Sequence, residues 1–223
     1  GLLWIGTRNG LRCLRDGKPV EVPGVNRLKE SIVRCVIADA TGTVWVSTWE
    51  DGLLALRNGQ VIPLAGPQGD EKILAHCLLS DRKGRLWASV GNWKVLCREN
   101  EQWRVYDETN GLPFPYVTSM AEDAQGTIWA GSLDAGLYRF DGERFHAIHA
   151  GDGLSAEDIR SLQTDREGNL WVGTRTGGLN QLSRRRLLFV GSAHGLTNDF
   201  TRSVTESADG TIWVATTGGS LYH

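Results

Sequence analysis

The chain has 223 residues, of which 40% are hydrophobic, and a formal net charge of −2. A charge this close to zero provides no bulk attraction to nucleic acid or to an anionic membrane surface. No stretch of about 18 apolar residues occurs, so no transmembrane helix is predicted within the chain. Hydrophobic residues alternate with a period of two, which predicts strands throughout, with no amphipathic helix longer than a turn.

Tryptophan marks a repeat that runs through the whole chain. Six of the nine tryptophans are spaced 41, 42, 42, 42 and 42 residues apart, and each lies in a similar short segment: Trp4, Trp45, Trp87, Trp129, Trp171 and Trp213. A fixed period of about 40–45 residues is typical of the four-stranded blades of a β-propeller. The sequence therefore predicts an all-β propeller with one of these tryptophans in each blade.

Each blade is predicted to contain four strands, A to D, in chain order. The innermost strand, A, is expected at 32–39, 74–81, 117–123, 159–165 and 202–207. An Asp-x-x-Gly turn, with Asp opening it and Gly supplying a positive φ, then leads into strand B, which carries the tryptophan. Strand C begins at a Gly-Leu pair such as Gly52-Leu53, and strand D follows a tight turn such as Asn58-Gly59. In the last copy Ser207 stands where the turn aspartate is expected, although Asp209-Gly210 is kept.

The two ends of the chain fall in the same part of the repeat. Residues 1–14 and 210–223 overlap in phase, so the first blade is expected to lack strand A and the last blade to lack strand D. The sequence predicts one partial propeller over residues 1–223, with about five to six blades of a larger ring. Unclosed blade edges of this kind are expected to permit self-association.

The segment GLSAEDIRSLQTDREGNLWVGTRTGGL at 153–179 resembles the two-component regulator propeller repeat, and the resemblance extends over the chain in six copies. It implies a seven-bladed ring that forms the periplasmic sensor part of an inner-membrane signalling protein. A histidine kinase or a diguanylate cyclase is then the expected output domain, and it is not in this sequence. The chain departs from the repeat at Asn92-Trp93-Lys94, where Gly-Leu is expected, and at Ala215-Thr216, where Gly-Thr is expected.

A charged column near the start of strand A is the first candidate for ligand binding. Five residues before each turn position the chain places Arg34, His76, Thr118, Arg160 and Arg202. Arginine suits carboxylate, phosphate or sulfate, so the column predicts an electropositive channel mouth for an anionic ligand. The alternative is that these side chains pair with carboxylates of neighbouring blades, such as Glu122, Asp158 and Glu206. The following column, Cys35, Cys77, Ser119, Ser161 and Ser203, contains only small residues and is interpreted as packing.

Two tryptophans outside the repeat lie in the loops between strands B and C on adjacent blades. Trp49 and Trp93, with Glu50 beside the first, suit a sugar ring that stacks on a flat face and forms hydrogen bonds at its edge. The alternative is that each tryptophan covers the edge of its own blade. The same face is expected to include three further candidates, namely Tyr116, Asp134 and Arg175.

Three functional hypotheses remain open at this point. The first is a non-enzymatic sensor that binds a carbohydrate or a small anion. The second is a lyase or hydrolase in which His76, Arg34 and Glu50 perform acid–base chemistry at the same face. The third is a scaffold that binds protein. No catalytic residue or cofactor is predicted, because no nucleophile elbow, phosphate loop or pair of carboxylates can be placed on one face. No metal site is predicted either, because the four cysteines lack metal-ligand spacing, and His146 and His149 with Asp152 form only a weak metal pattern.

Overall fold

The computed structural model describes residues 1–69, 72–91, 94–113, 116–183, 187–196 and 198–223. Within them the chain forms six antiparallel sheets joined by short loops. It divides into two compact units, residues 1–105 and residues 106–223. The all-β propeller class is confirmed, and no helix among the described residues is long and apolar enough to cross a bilayer.

The first unit contains three blades. The strands of blade 1 are β1 (Leu2–Thr7), β2 (Gly10–Arg15) and β3 (Lys18–Pro19). Those of blade 2 are β4 (Val33–Ala38), β5 (Val44–Thr48), β6 (Gly52–Arg57) and β7 (Gln60–Pro63). Those of blade 3 are β8 (Ala75–Ser80), β9 (Leu86–Val90), β10 (Lys94–Glu99) and β11 (Gln102–Tyr106). A 3-10 helix, Val25–Leu28, joins blades 1 and 2.

The second unit contains the remaining three blades. Blade 4 comprises β12 (Val117–Glu122), β13 (Ile128–Ser132), β14 (Leu137–Phe140) and β15 (Phe145–Ile148). Blade 5 comprises β16 (Ile159–Thr164), β17 (Leu170–Thr174), β18 (Leu179–Leu182) and β19 (Leu187–Val190). Blade 6 comprises β20 (Thr201–Glu206), β21 (Ile212–Thr216) and β22 (Leu221–Tyr222). Three 3-10 helices precede these blades, at Glu108–Asn110, Ala150–Asp152 and Ser192–His194.

The predicted strands agree closely with the observed ones. Every strand A begins within one residue of its expected start, and the Gly-Leu pairs begin strand C. Blades 1 and 6 are three-stranded among the described residues, as the phase of the repeat predicted. The description of residues 1–223 as one partial propeller stays a prediction.

The turn before strand B explains why aspartate and tryptophan recur together. In blade 2, Oδ1 of Asp39 accepts the backbone N–H groups of Thr41 (2.9 Å) and Thr43 (3.0 Å), while Oδ2 accepts the indole N–H of Trp45 at 2.9 Å. The same carboxylate–indole bond recurs from Trp87 to Asp81, from Trp129 to Asp123 and from Trp171 to Asp165. A buried indole N–H needs an acceptor, so one aspartate both orders the turn and satisfies the tryptophan. From the sequence, only the role of the aspartate in the turn was predicted.

Blade 6 performs these two tasks with two residues. The hydroxyl of Ser207 accepts the indole N–H of Trp213 at 3.2 Å and donates to Oδ1 of Asp209 at 2.6 Å. The same Oδ1 accepts the backbone N–H of Thr211 at 3.0 Å. The last turn is therefore a rearranged version of the others.

Neighbouring blades within each unit pack face to face through apolar clusters. Between blades 4 and 5 the cluster includes Trp129, Leu137 and Ile159. A Cβ on Gly131 would lie 2.3 Å from a methyl carbon of Ile159, so β13 needs glycine at this point to let the next blade approach. The equivalent glycines of blades 1 and 5 are also closely approached, since a Cβ on Gly6 would lie 2.6 Å from Val33 and one on Gly173 would lie 3.0 Å from Thr201.

Candidate functional site

The predicted charged column coincides with a β-bulge in every complete strand A. In blade 2, Val33 pairs with Thr48 and Cys35 pairs with Ser47, so Arg34 is the extra residue. Equivalent register shifts make His76, Thr118, Arg160 and Arg202 the extra residues of the other four bulges. Bulges redirect a side chain and are common next to binding sites. The sequence identified this column by counting, whereas the backbone irregularity that sets it apart is visible only in the structure.

The bulge lies beside the loop between strands B and C of the same blade. The residue after strand B donates its backbone N–H to the residue before strand A, as Trp49 does to Ile32 at 3.0 Å. The second unit repeats this bond from Leu133 to Tyr116, from Arg175 to Asp158 and from Thr217 to Phe200. In each of these blades, the start of strand A therefore lies beside the loop between strands B and C, which is part of the predicted binding face.

In the first unit the structure brings three of the predicted residues together. Arg34 of blade 2 donates through Nη2 to Nδ1 of His76 in blade 3. The guanidinium carbon of Arg34 also lies 5.0 Å from the ring centroid of Trp49, which is within cation–π range. Trp49 is nevertheless 59% exposed. We call Arg34, His76 and Trp49 the Arg34 cluster.

His76 is the titratable member of the cluster. Because its Nδ1 accepts from Arg34, the imidazole is neutral in this arrangement and carries its proton on Nε2. Burial, and then the positive charge of Arg34, lower the pKa of His76 below its ordinary value. A Cβ at Gly91 would lie 3.8 Å from Nε2, and Gly91 also lines a cavity of about 540 Å³ whose other lining residues include Lys72 and Lys94. The cation that acts directly on His76 is Arg34.

Glu50 lies next to Trp49 but serves the backbone. Its Oε2 accepts the N–H of Ile32 at 3.0 Å, and its carbonyl oxygen accepts from Nζ of Lys72 at 2.7 Å. The structure thus joins His76 to Arg34, as the acid–base hypothesis required, but it engages the Glu50 carboxylate in holding the start of strand A.

In the second unit the bulge residues have different surroundings. The Thr118 hydroxyl points to the backbone oxygens of Ile159 (2.7 Å) and Gly131 (3.1 Å), which is a structural role. Arg202 is exposed, and its Nε donates to the hydroxyl of Thr217 at 3.1 Å. Arg160 is half-buried and forms no hydrogen bond or ion pair with any residue that the structure describes.

The other predicted residues of this unit lie at its loops. Tyr116 is 36% exposed, and the side chains of Asp134 and Arg175 are exposed. Trp93 lies outside the described residues, so its predicted place beside Trp49 stays a prediction.

Pairing of the bulge arginines with carboxylates was the alternative explanation for the column. Glu206, one of the suggested partners, accepts from the Arg166 side chain at 3.6 Å instead of from Arg202. Across the described parts of the chain, no ion pair involves Arg34, Arg160 or Arg202. Charge pairing does not account for these arginines.

The cysteines and histidines elsewhere have ordinary structural surroundings. All four cysteines are free thiols, and burial raises the pKa of Cys35 to about 12. Nε2 of His146 lies 2.6 Å from Asp141, and Nδ1 of His149 lies 3.1 Å from Glu157. The residues that the structure describes contain no group of three or more His, Cys, Asp or Glu side chains arranged to hold a metal ion.

Comparison with known proteins finds a match to a propeller repeat in two segments of the chain. The family model described as "Two component regulator propeller" matches residues 111–134 and 153–176. Among curated proteins, no sequence matches the chain.

Three solved structures illustrate the similarity. The extracellular domain of the hybrid two component system BT3049 from B. thetaiotaomicron is 23% identical, over 96% of this chain and 30% of that one, with a TM-score of 0.82. The extracellular domain of the one component system BT4673 from the same organism is 19% identical over 100% of this chain and 38% of that one, with a TM-score of 0.62. A virginiamycin B lyase from Staphylococcus aureus, solved with quinupristin, is 15% identical over 100% and 80%, with a TM-score of 0.71. At these identities the similarity shows the propeller fold, and this chain spans less than two fifths of either signalling domain.

Proposed function

We propose that this chain, which carries two component regulator propeller repeats, is an extracytoplasmic sensor module that binds a small carbohydrate or anionic ligand. Binding would change the activity of a histidine kinase or diguanylate cyclase elsewhere in the parent protein. The corresponding location is the periplasmic side of an inner membrane. The matched repeats and the fold shared with extracellular domains of two component systems support this context.

The observation that carries the proposal is the Arg34 cluster. Among the residues that the structure describes, the Arg34 guanidinium contacts an imidazole and an indole and forms no ion pair with a carboxylate. Packing of the blades does not require a charge at this position. An uncompensated, partly desolvated arginine attracts anions, and an exposed tryptophan provides a flat surface for a ring. Arg34 is the extra residue of the bulge and Trp49 lies in the loop beside it, and such positions can vary between blades without loss of the sheet.

The contacts favour binding over acid–base catalysis. The His76 imidazole and the Glu50 carboxylate are not joined to each other by any hydrogen bond that we observe, and each has another partner. A general acid–base pair requires groups that are free to exchange protons with a substrate. The sensor function therefore needs no contact between His76 and Glu50, whereas acid–base catalysis by this pair would require the Glu50 carboxylate to leave the backbone of Ile32.

Titration calorimetry of the full chain against panels of oligosaccharides and organic acids tests this function. We expect Arg34→Gln and Trp49→Ala each to weaken the binding of a hit by about tenfold or more, since charge-assisted and aromatic contacts contribute energies of this order. Arg57→Gln is the matched control, because Arg57 lies at the opposite end of β6 from the loop that follows Trp49. Absence of binding at millimolar concentration across both panels refutes the proposal.

The same experiment asks whether the second unit contributes. Arg160→Gln and Arg202→Gln are expected to change affinity by less than about threefold, because neither arginine contacts an aromatic ring or an imidazole in the described structure. A loss of affinity in either variant equal to that of Arg34→Gln would indicate that the ligand binds the second unit.

Light scattering on the free and ligand-bound chain measures the self-association that unclosed blade edges would permit.

A further inference from the structure

The Arg34 cluster combines two recognition elements that the sequence presented separately. An arginine column predicted an anionic ligand, and Trp49 predicted a ring. The guanidinium lies 5.0 Å from the indole centroid, so an anionic group bound to Arg34 lies next to any ring that contacts Trp49. With Arg34 in place the indole is still 59% exposed and keeps area for that ring.

We infer that the first unit binds ligands in which a ring and an anionic group are joined, and that His76 takes up a proton to donate to the anionic group together with Arg34. The inference rests on the proposed function, whose site it uses. It narrows the ligand class from a carbohydrate or an anion to one molecule with both characters, such as a sugar acid or an aromatic carboxylate. The two sources share a ring with a carboxylate, and the probes below distinguish them.

Competition for one hydrogen-bond donor explains the proton uptake. In the unliganded chain Nη2 of Arg34 donates to Nδ1 of His76. An anion that binds the Nη2 edge of the guanidinium competes with Nδ1 for this donor, and where the anion displaces Nδ1 the lone pair of that nitrogen faces negative charge. Transfer of one proton from solvent to Nδ1 removes the repulsion and creates a second donor, because a nearby negative charge favours the protonated imidazole.

The charges around His76 favour a neutral imidazole until an anionic ligand binds. Arg34 acts on the imidazole from blade 2. Lys72 and Lys94 line the cavity that Gly91 shares, and the Glu50 carboxylate is held by the backbone of Ile32. Protonation of His76 without a ligand would place a second positive charge against Arg34. A ligand carboxylate beside both groups attracts both positive charges and so reduces the cost of protonating His76.

Calorimetry with matched pairs of probes tests the ligand class. Glucuronate is compared with glucose, benzoate with benzamide, and acetate supplies a carboxylate without a ring. In at least one pair we expect the charged compound to bind about tenfold more tightly than its neutral counterpart and than acetate, since it satisfies both Arg34 and Trp49. Arg57→Gln again serves as the control for general loss of positive charge.

Proton uptake is measured for the tighter probe at pH 7 in two buffers of different ionisation enthalpy. Up to one proton is expected to be taken up by the wild-type chain, and none by His76→Gln, whose amide can still accept from Arg34 but cannot be protonated. A thermal unfolding curve shows whether His76→Gln is folded. Retained proton uptake in this variant, or equal affinity for charged and neutral probes in both pairs, overturns the inference.

The failures of the two proposals are distinguishable. Binding of a neutral sugar that is lost in Trp49→Ala, without preference for a charged counterpart, refutes the joint ligand class but supports the sensor site. Absence of binding to every compound in the wider panels refutes the sensor function itself.

Discussion

In the first unit the bulge position holds Arg34 and His76, which contact each other, and Arg34 lies over Trp49. In the second unit the same position holds Thr118, bonded to backbone oxygens, and two arginines that touch neither a ring nor each other in the described structure. The two units also differ in charge: residues 1–105 contain 15 Lys and Arg against 11 Asp and Glu, whereas residues 106–223 contain 9 against 15. The same β-bulge thus brings charged and aromatic side chains together in one unit and serves packing or solvation in the other, because a bulge determines where a side chain points but not what it contacts.

The turn before strand B offers a parallel comparison. In blade 3 of the first unit, Oδ2 of Asp81 accepts from both Trp87 and Arg85, and the Asp81 side chain is fully buried. In blade 6 of the second unit, Ser207 and Asp209 divide the same work in an exposed turn. The turn aspartate can therefore be replaced where the turn is exposed, because water can bind the polar groups that the carboxylate would otherwise contact.

The largest effect is expected from removing the buried carboxylate. Asp81→Ala leaves the Trp87 indole N–H, the Arg85 guanidinium and two backbone N–H groups without their acceptor, and should lower the free energy of unfolding by about 3–5 kcal/mol. Ser207→Ala removes one hydroxyl in a partly exposed turn and should cost about 1 kcal/mol. Urea unfolding followed by tryptophan fluorescence measures both. If Asp81→Ala and Ser207→Ala lowered the free energy of unfolding by similar amounts, burial of the turn would not explain their contributions to stability.

A smaller gain is expected from making the last turn like the others. The double substitution Ser207→Asp and Asp209→Gln reproduces the Asp-Ala-Gln-Gly turn found at 123–126. A carboxylate acceptor for Trp213 replaces a hydroxyl, and charge-assisted bonds are the stronger kind, so stability should rise by about 1 kcal/mol. Thermal unfolding provides the measurement, with Asp209→Gln alone as the control. No gain over that control would mean that the serine turn is already equivalent.

The smallest effect concerns His76 and pH. Its pKa is lowered in the folded chain by burial and by Arg34, so the folded state binds fewer protons here than the unfolded state. The resulting stability is fully present above the ordinary histidine pKa of about 6.5 and is lost as the pH falls from there through the lowered value. Unfolding curves between about pH 7.5 and about pH 5, the range in which histidine titrates, should therefore show a decline in stability that is reduced in His76→Gln. An unchanged decline in that variant would place its origin elsewhere.

Much of the fold was predictable because its signals are local. The turn aspartate and the tryptophan it bonds are six residues apart, and the alternation of each strand is complete within six residues. Trp49 and the arginine column were found by asking which positions break the repeat. The carboxylate–indole bond was not predicted, although the aspartate and the tryptophan keep a constant spacing of six residues. The turn alone is enough to explain the aspartate, so the sequence does not reveal its second role.

The blade, its four strands and its turns could be read from the sequence, as could the residues that vary between blades, since these follow from contacts between residues close together in the chain. Which of those residues meet depends on how the blades pack. Arg34 and His76 are 42 residues apart and touch because adjacent blades pack face to face, with a bulge in each that turns the side chain out of the ladder. The repeat places an equivalent residue in every blade, but whether that residue finds an imidazole, a backbone oxygen or solvent depends on what its neighbouring blade presents.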